Sequence, residues 1–115
     1  MTPDQIINSI CETLDLDKDI LLSKKKGGKN PRKYIDARMI ACFLIRKHNL
    51  KDYSYRHIAE IFNRILSGGK GDHVCAMYWE WVAKDLIKTN KQFFDKFERC
   101  NHSINILTLV KSNTK

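Results

Sequence analysis

The chain has 115 residues, 21 Lys+Arg against 13 Asp+Glu for a formal charge of +8, and four cysteines. That length accommodates one compact domain with its own core and is too short for most two-domain enzymes. Charged residues at 30% and apolar residues at 43% suit a globular protein and argue against wholesale disorder, while the charge excess points to a polyanion such as nucleic acid, or to an anionic membrane surface.

No run of roughly 18 apolar residues occurs, so no membrane-spanning helix is expected. Met1-Thr2-Pro3-Asp4 shows no basic region ahead of an apolar stretch, so no signal peptide is expected and the cytoplasm is the expected location. Thiols stay reduced there, which leaves Cys11, Cys42, Cys75 and Cys100 free. Their separations of 31, 33 and 25 residues contain no C-x-x-C pair. His73-x-Cys75 and Cys100-x-His102 are the only zinc-like pairing, and zinc modules use tighter paired spacing, so neither a metal nor another cofactor is expected. Cys11 and Cys42 read as buried apolar thiols.

Helical periodicity dominates, without a convincing alternating strand. Thr2 as cap, Pro3 at the first helical position and Gln5 three residues after Thr2 form a capping-box signature, followed by a stripe of Ile6, Ile7, Ile10 and Leu14. A short second helix starts at Asp17 and carries Ile20 and Leu21. A breaker-rich basic stretch, Ser23 to Lys33, comes next. Residues 18–38 hold eight Lys/Arg and two Asp, a net +6 that leaves only +2 for the rest of the chain. A solvated loop is the ordinary reading of such a run; its concentration favours a phosphate-contacting element.

A long helix spans about Pro31 to His48, with Tyr34, Ala37, Ile40, Ala41, Leu44 and Ile45 at helical spacing and an interior that is apolar nearly all round, as a central core helix requires. After a turn at 49–53, Ser54 caps another helix, with Tyr53 and Ile58 set for a hydrophobic staple and Ile58, Ile61, Phe62 and Ile65 as its buried face. Ser67-Gly68-Gly69-Lys70-Gly71 breaks the chain. Asp72 caps a helix to about Thr89, along which Tyr78, Trp81, Val82 and Leu86 follow helical spacing; core is the ordinary reading of Trp81. A last amphipathic helix carries Phe93, Phe94 and Phe97. The fold class is therefore all-α, about five to six helices. A domain over residues 1–100 is followed by a tail at 101–115, partly packed or disordered, whose Ile104, Ile106, Leu107, Leu109 and Val110 fit a helical turn or a short strand equally well.

Two consecutive helices over 54–66 and 72–89, joined by a glycine-rich turn and preceded by a core helix, have the order of a helix-turn-helix unit. Such a unit presents the start of its second helix to base edges, and the free amides there favour phosphate.

The residues from about Pro3 to Lys88 further resemble the C-terminal DNA-binding domain of the bacterial chromosomal replication initiator, DnaA. The pieces are the opening helix with Leu16 to Lys26; Ala37-Arg38-Met39-Ile40-Ala41-Cys42-Phe43-Leu44 beside the family's A-R-Q-I-A-M-Y-L; Tyr53-Ser54-(x3)-Ile58-Ala59-(x2)-Phe62; and Asp72-His73 at the start of its D-H-T-T-V signature. Their order and approximate spacing carry the specificity. The resemblance implies binding of double-stranded DNA by a stand-alone module, an accessory or regulator of replication initiation or transcription, associated with the nucleoid and with replication proteins as further partners. It implies that Asp72 and His73 approach bases, that Lys24, Lys25, Lys26 and Lys29 lie against the duplex, and that Arg38 and Lys70 approach phosphate. Taken singly, Asp72 is a helix cap, His73 a surface histidine and Arg38 a solvated helix residue.

The departures from the family bear on specificity. Gly71 replaces an arginine, the turn after Phe62 is longer, and Val74 and Cys75 replace two threonines whose hydroxyls can bond a base edge or phosphate. Lysines stand where the family uses an arginine, whose planar fork reads a groove more specifically. No G-x-x-x-x-G-K-[ST] sequence is present, so no P-loop ATPase activity is expected. A protein-interaction module on the same fold is the alternative, with an exposed tryptophan as its anchor. An enzyme is not expected: His73 and Cys75, two apart on a helix, face different ways, and no paired carboxylates stand out.

Overall fold

The computed structural model describes residues 2–23, 31–48 and 52–113. They form six helices: α1 (Pro3–Leu14), α2 (Lys18–Leu22), α3 (Pro31–His48), α4 (Tyr55–Ile61), α5 (His73–Thr89) and α6 (Lys91–Asn113). Among the described residues there is no strand; Ile65 and Gly71 form one isolated bridge.

The helix starts follow from local chemistry. Thr2 Oγ1 accepts from Gln5 N at 3.2 Å and Gln5 Oε1 accepts from Thr2 N at 2.9 Å, closing the capping box. Asp17 caps α2 through the amides of Asp19 and Ile20, Ser54 caps α4 through His57 N, and Asp72 caps α5 through Cys75 N. Each cap satisfies amides that the first turn of a helix leaves without a partner.

Packing then assigns the core. α3 lies at the centre, against α1, α2, α5 and α6. Ala37, Ile40, Ala41, Cys42, Leu44 and Ile45 of α3 are fully buried, with Ile6, Ile7 and Ile10 of α1, Ile58 and Phe62 beside α4, and Phe93 and Ile104 of α6 around them. Burying one such large apolar side chain contributes about 1.5–3 kcal/mol. A polar cluster ties three helices together. Glu80 of α5 accepts from Arg46 Nε (3.2 Å) of α3 and from the Tyr55 hydroxyl (3.1 Å) of α4, and the Arg46 guanidinium lies 4.0 Å from the Tyr55 ring centroid.

The structure departs from the sequence-based expectation in three places. α4 ends at Ile61, so Ile65 leaves the helical face and is 43% exposed. Trp81 is not core: it is 60% exposed, and Trp79 takes the interior position, edge-on to Phe62 with ring centroids 5.5 Å apart. The two indoles lie 200° apart on a helix, so only one can face α3 and α4. The segment from 101 to 113 is neither strand nor single turn but the continuation of α6, which buries Ile104 and leaves Ile106, Leu107, Leu109 and Val110 exposed.

Candidate nucleic-acid interface

α5 packs against both α3 and α4, and an unusual connection joins α4 to α5. α4 closes in a Schellman pattern: Asn63 N donates to Glu60 O at 3.0 Å and Arg64 N to Ala59 O at 2.8 Å, with Asn63 left-handed at φ 57°. Asparagine tolerates that conformation better than most residues. Residues 62–72 then make a small excursion, closed by Leu66 N to Lys70 O (2.8 Å) and Asp72 N to Arg64 O (2.7 Å). Lys70 sits exposed on it. Gly71 is buried at its base, where a Cβ would stand 2.0 Å from the Arg56 carbonyl oxygen of α4. Any side chain at this position is sterically excluded by that close approach.

The excursion also grips the end of α2. Asn63 Nδ2 donates to Leu22 O at 2.6 Å and Arg64 Nη1 to Ser23 O at 3.1 Å. Ser23 immediately precedes the lysine run. The connection between α4 and α5 is thus bonded to the residue from which that run departs.

The eight candidate residues fall into different surroundings. Lys24, Lys25, Lys26 and Lys29 lie outside the described residues. Lys70 and His73 are exposed, and Asp72 is half-buried with its carboxylate spent on the cap. Arg38, which taken singly reads as a solvated helix residue, is instead 4% exposed, donating through Nε to Leu21 O (2.9 Å) and through Nη2 to Ile20 O (2.9 Å) and Ser23 O (3.2 Å). It occupies the carbonyl end of α2, where a cation is favoured by the helix dipole and by acceptors the helix leaves over. Burial, and then the neighbouring Arg64 charge, lower its pKa. Periodicity placed Arg38 on a helix but could not foresee that α2 would fold its carboxyl end onto it.

The outward face of α5 is apolar and aromatic. Val74 (62% exposed), Tyr78 (59%) and Trp81 follow one another at i, i+4 and i+7. In the first two turns, His73 and the Tyr78 hydroxyl are the exposed side-chain hydrogen-bonding groups. Cys75, half-buried, has its thiol pKa raised by burial and by Asp72, against the opposing pull of Arg64 and Arg38. Asn63 and Arg64 escaped the sequence reading because neither sits in a motif or at a periodic position; their role depends on where α2 ends.

No helix among the described residues is long and apolar enough to cross a membrane. No protein-family model matches the chain, and no curated protein matches it either.

Proposed function

We propose that this chain is a double-stranded DNA-binding module of helix-turn-helix type, a divergent relative of the DnaA C-terminal domain without catalytic activity, acting as an accessory or regulator in replication initiation or transcription. The observation that carries the reading is the bond from Arg64 to Ser23, with Asn63 to Leu22 beside it. It joins Ser23, which precedes the lysine run in the sequence, to the connection that carries Lys70 and leads into the capped start of α5, and this supports a reading in which phosphate attraction and a groove-facing helix act together. Base readout in this reading is sparse. His73 and Tyr78 supply hydrogen bonds, and Val74 supplies an apolar surface for a thymine methyl. Affinity therefore derives mostly from phosphates. Fluorescence anisotropy with a labelled duplex is expected to give log K against log[salt] a slope of about −5 to −6, for roughly five to seven phosphates. Loss of that binding is expected when Lys24, Lys25, Lys26 and Lys29 are made Ala together. Absence of duplex binding at low salt would overturn the reading.

A second reading, a protein-docking module on the same fold, is favoured by one observation: the exposed Val74–Tyr78–Trp81 row. Aromatic side chains of this kind serve as interface anchors. Under this reading Trp81→Ala abolishes a protein complex and leaves duplex affinity unchanged. Under the DNA reading the same variant weakens the duplex complex.

A further inference from the structure

Away from the α4–α5 surface, α1, α3 and α6 meet around an open cleft of about 390 Å³. Four cations line it: Arg32 and Lys33 from the first turn of α3, and Lys96 and Arg99 from α6. Asp15, just past the end of α1, is the acid on its wall. The positions of three of the cations are fixed by protein partners. Asp36, with a side chain only 6% exposed, accepts a hydrogen bond from Lys96 Nζ at 3.0 Å through Oδ2, while its Oδ1 lies 2.9 Å from Arg32 Nε as an ion pair. Arg99 Nη2 donates to Thr13 O at 2.9 Å. One buried carboxylate thus holds two cations from different helices at the same cleft. Counting Asp15 and Asp36 against the four cations, the cleft keeps a surplus of two positive charges among the described residues.

Holding cations together without enough counter-charge is unfavourable unless an anion joins them, and guanidinium groups match the geometry of phosphate oxygens. The cleft also lies on a different side of α3 from the end of α2: Asp36 and Arg38 are two residues apart and so point about 200° apart around the helix. It is therefore away from the end of α2 and from the exposed face of α5; of the basic 23–33 stretch it takes up Arg32 and Lys33, and binding there does not require α5 to meet DNA.

We infer that the α1–α3–α6 cleft is a binding site for a phosphate-bearing dianion of about pyrophosphate size. Arg32, Lys33, Lys96 and Arg99 provide its donors and Asp36 holds two of them in place. The phosphate comes either from a free small polyphosphate or from the backbone of a nucleic acid other than the one at α5.

Titration of the ¹⁵N-labelled chain with pyrophosphate at low salt, against an equal ionic strength of chloride, tests the site. Saturable amide shifts confined to residues 13–15, 32–36 and 96–99 are expected. The Lys33→Gln, Arg99→Gln double variant leaves the Asp36 clamp intact and is expected to lose at least tenfold in affinity with an unchanged melting temperature; Lys33→Gln alone serves should the double variant melt early. If pyrophosphate fails but a short duplex shifts the same amides, saturably and dependent on Lys33 and Arg99, the site stands with nucleic-acid backbone as its source. Shifts spread over the whole basic surface and indifferent to these variants, or no shifts with either probe, overturn the inference. Duplex shifts confined to α5 and the 62–72 excursion would overturn it while leaving the DNA-binding proposal intact.

Discussion

Arg64 Nη1 donates to the carbonyl of Ser23 across 3.1 Å of space and 41 residues of chain. The same nitrogen donates to Phe62 O at 3.0 Å, and the guanidinium stands 5.6 Å from the centroid of the buried Trp79 ring. One side chain therefore joins the α4–α5 connection, the aromatic core and the end of α2. Arg38 also donates to the Ser23 carbonyl, at 3.2 Å, so two guanidinium groups converge on one acceptor.

Removing Arg64 should therefore affect both stability and the proposed binding. Arg64→Ala is expected to cost about 1–3 kcal/mol, the range for losing hydrogen bonds from a charged, partly buried group. Thermal melting should show this as a fall of several degrees. Duplex affinity should fall further than in a surface-lysine variant of equal charge. Unchanged melting would show that the anchor to α2 is dispensable.

The Arg46–Glu80 pair joins α3 to α5 with side chains 19% and 10% exposed. Glu80→Ala leaves the Arg46 charge without its partner and should cost on the order of 3–5 kcal/mol, as broken buried pairs do. Replacing both residues with apolar ones of similar volume should cost clearly less than the two single changes added together. A double-mutant cycle in urea measures the coupling; strict additivity would refute it.

Two nearby glycines should behave in opposite ways. At Gly71 an added Cβ meets the Arg56 backbone at 2.0 Å, so Gly71→Ala forces the excursion away from α4 and is expected to destabilise by roughly 2–3 kcal/mol or more. Nothing lies within 4 Å of the position at Gly68, where Ala should be close to neutral. Urea midpoints of the two variants give a direct comparison.

The buried thiols predict a loss of stability in alkali. Burial raises the pKa of Cys42 and of Cys100 from 9.0 to about 12. Above pH 9 the unfolded chain releases these protons while the folded chain keeps them, so unfolding is increasingly favoured. The contribution is present in full below pH 9 and is lost as the pH rises towards 12. The urea midpoint should fall across this window, and less steeply in the Cys42→Ala, Cys100→Ala variant. At pH 8, alkylation should reach half-buried Cys75 first and the other thiols only on unfolding. Equal alkylation rates for all four would contradict this.

The features that depend on near neighbours in the chain are legible without its fold. The starts of α1, α2, α4 and α5 follow from caps within three residues of Thr2, Asp17, Ser54 and Asp72, and the span of α3 from an apolar run that only a helix at the centre of a core can bury. Exposure of Lys70 and His73 was legible too, because glycines and a cap place them at a break in the chain. The tertiary structure alone decided the rest. Whether Trp79 or Trp81 enters the core depends on which side of α5 meets α3 and α4, and periodicity fits both. Arg38 is buried because the carbonyls of Ile20, Leu21 and Ser23 arrive beside it, and Gly71 is required because Arg56 passes close by. Four cations scattered from Arg32 to Arg99 share one cleft because Asp36 of α3 pairs both with Arg32 and with Lys96 of α6, and Arg99 of α6 bonds to Thr13 of α1. These relations join residues distant in sequence, and no local rule of spacing or propensity encodes them.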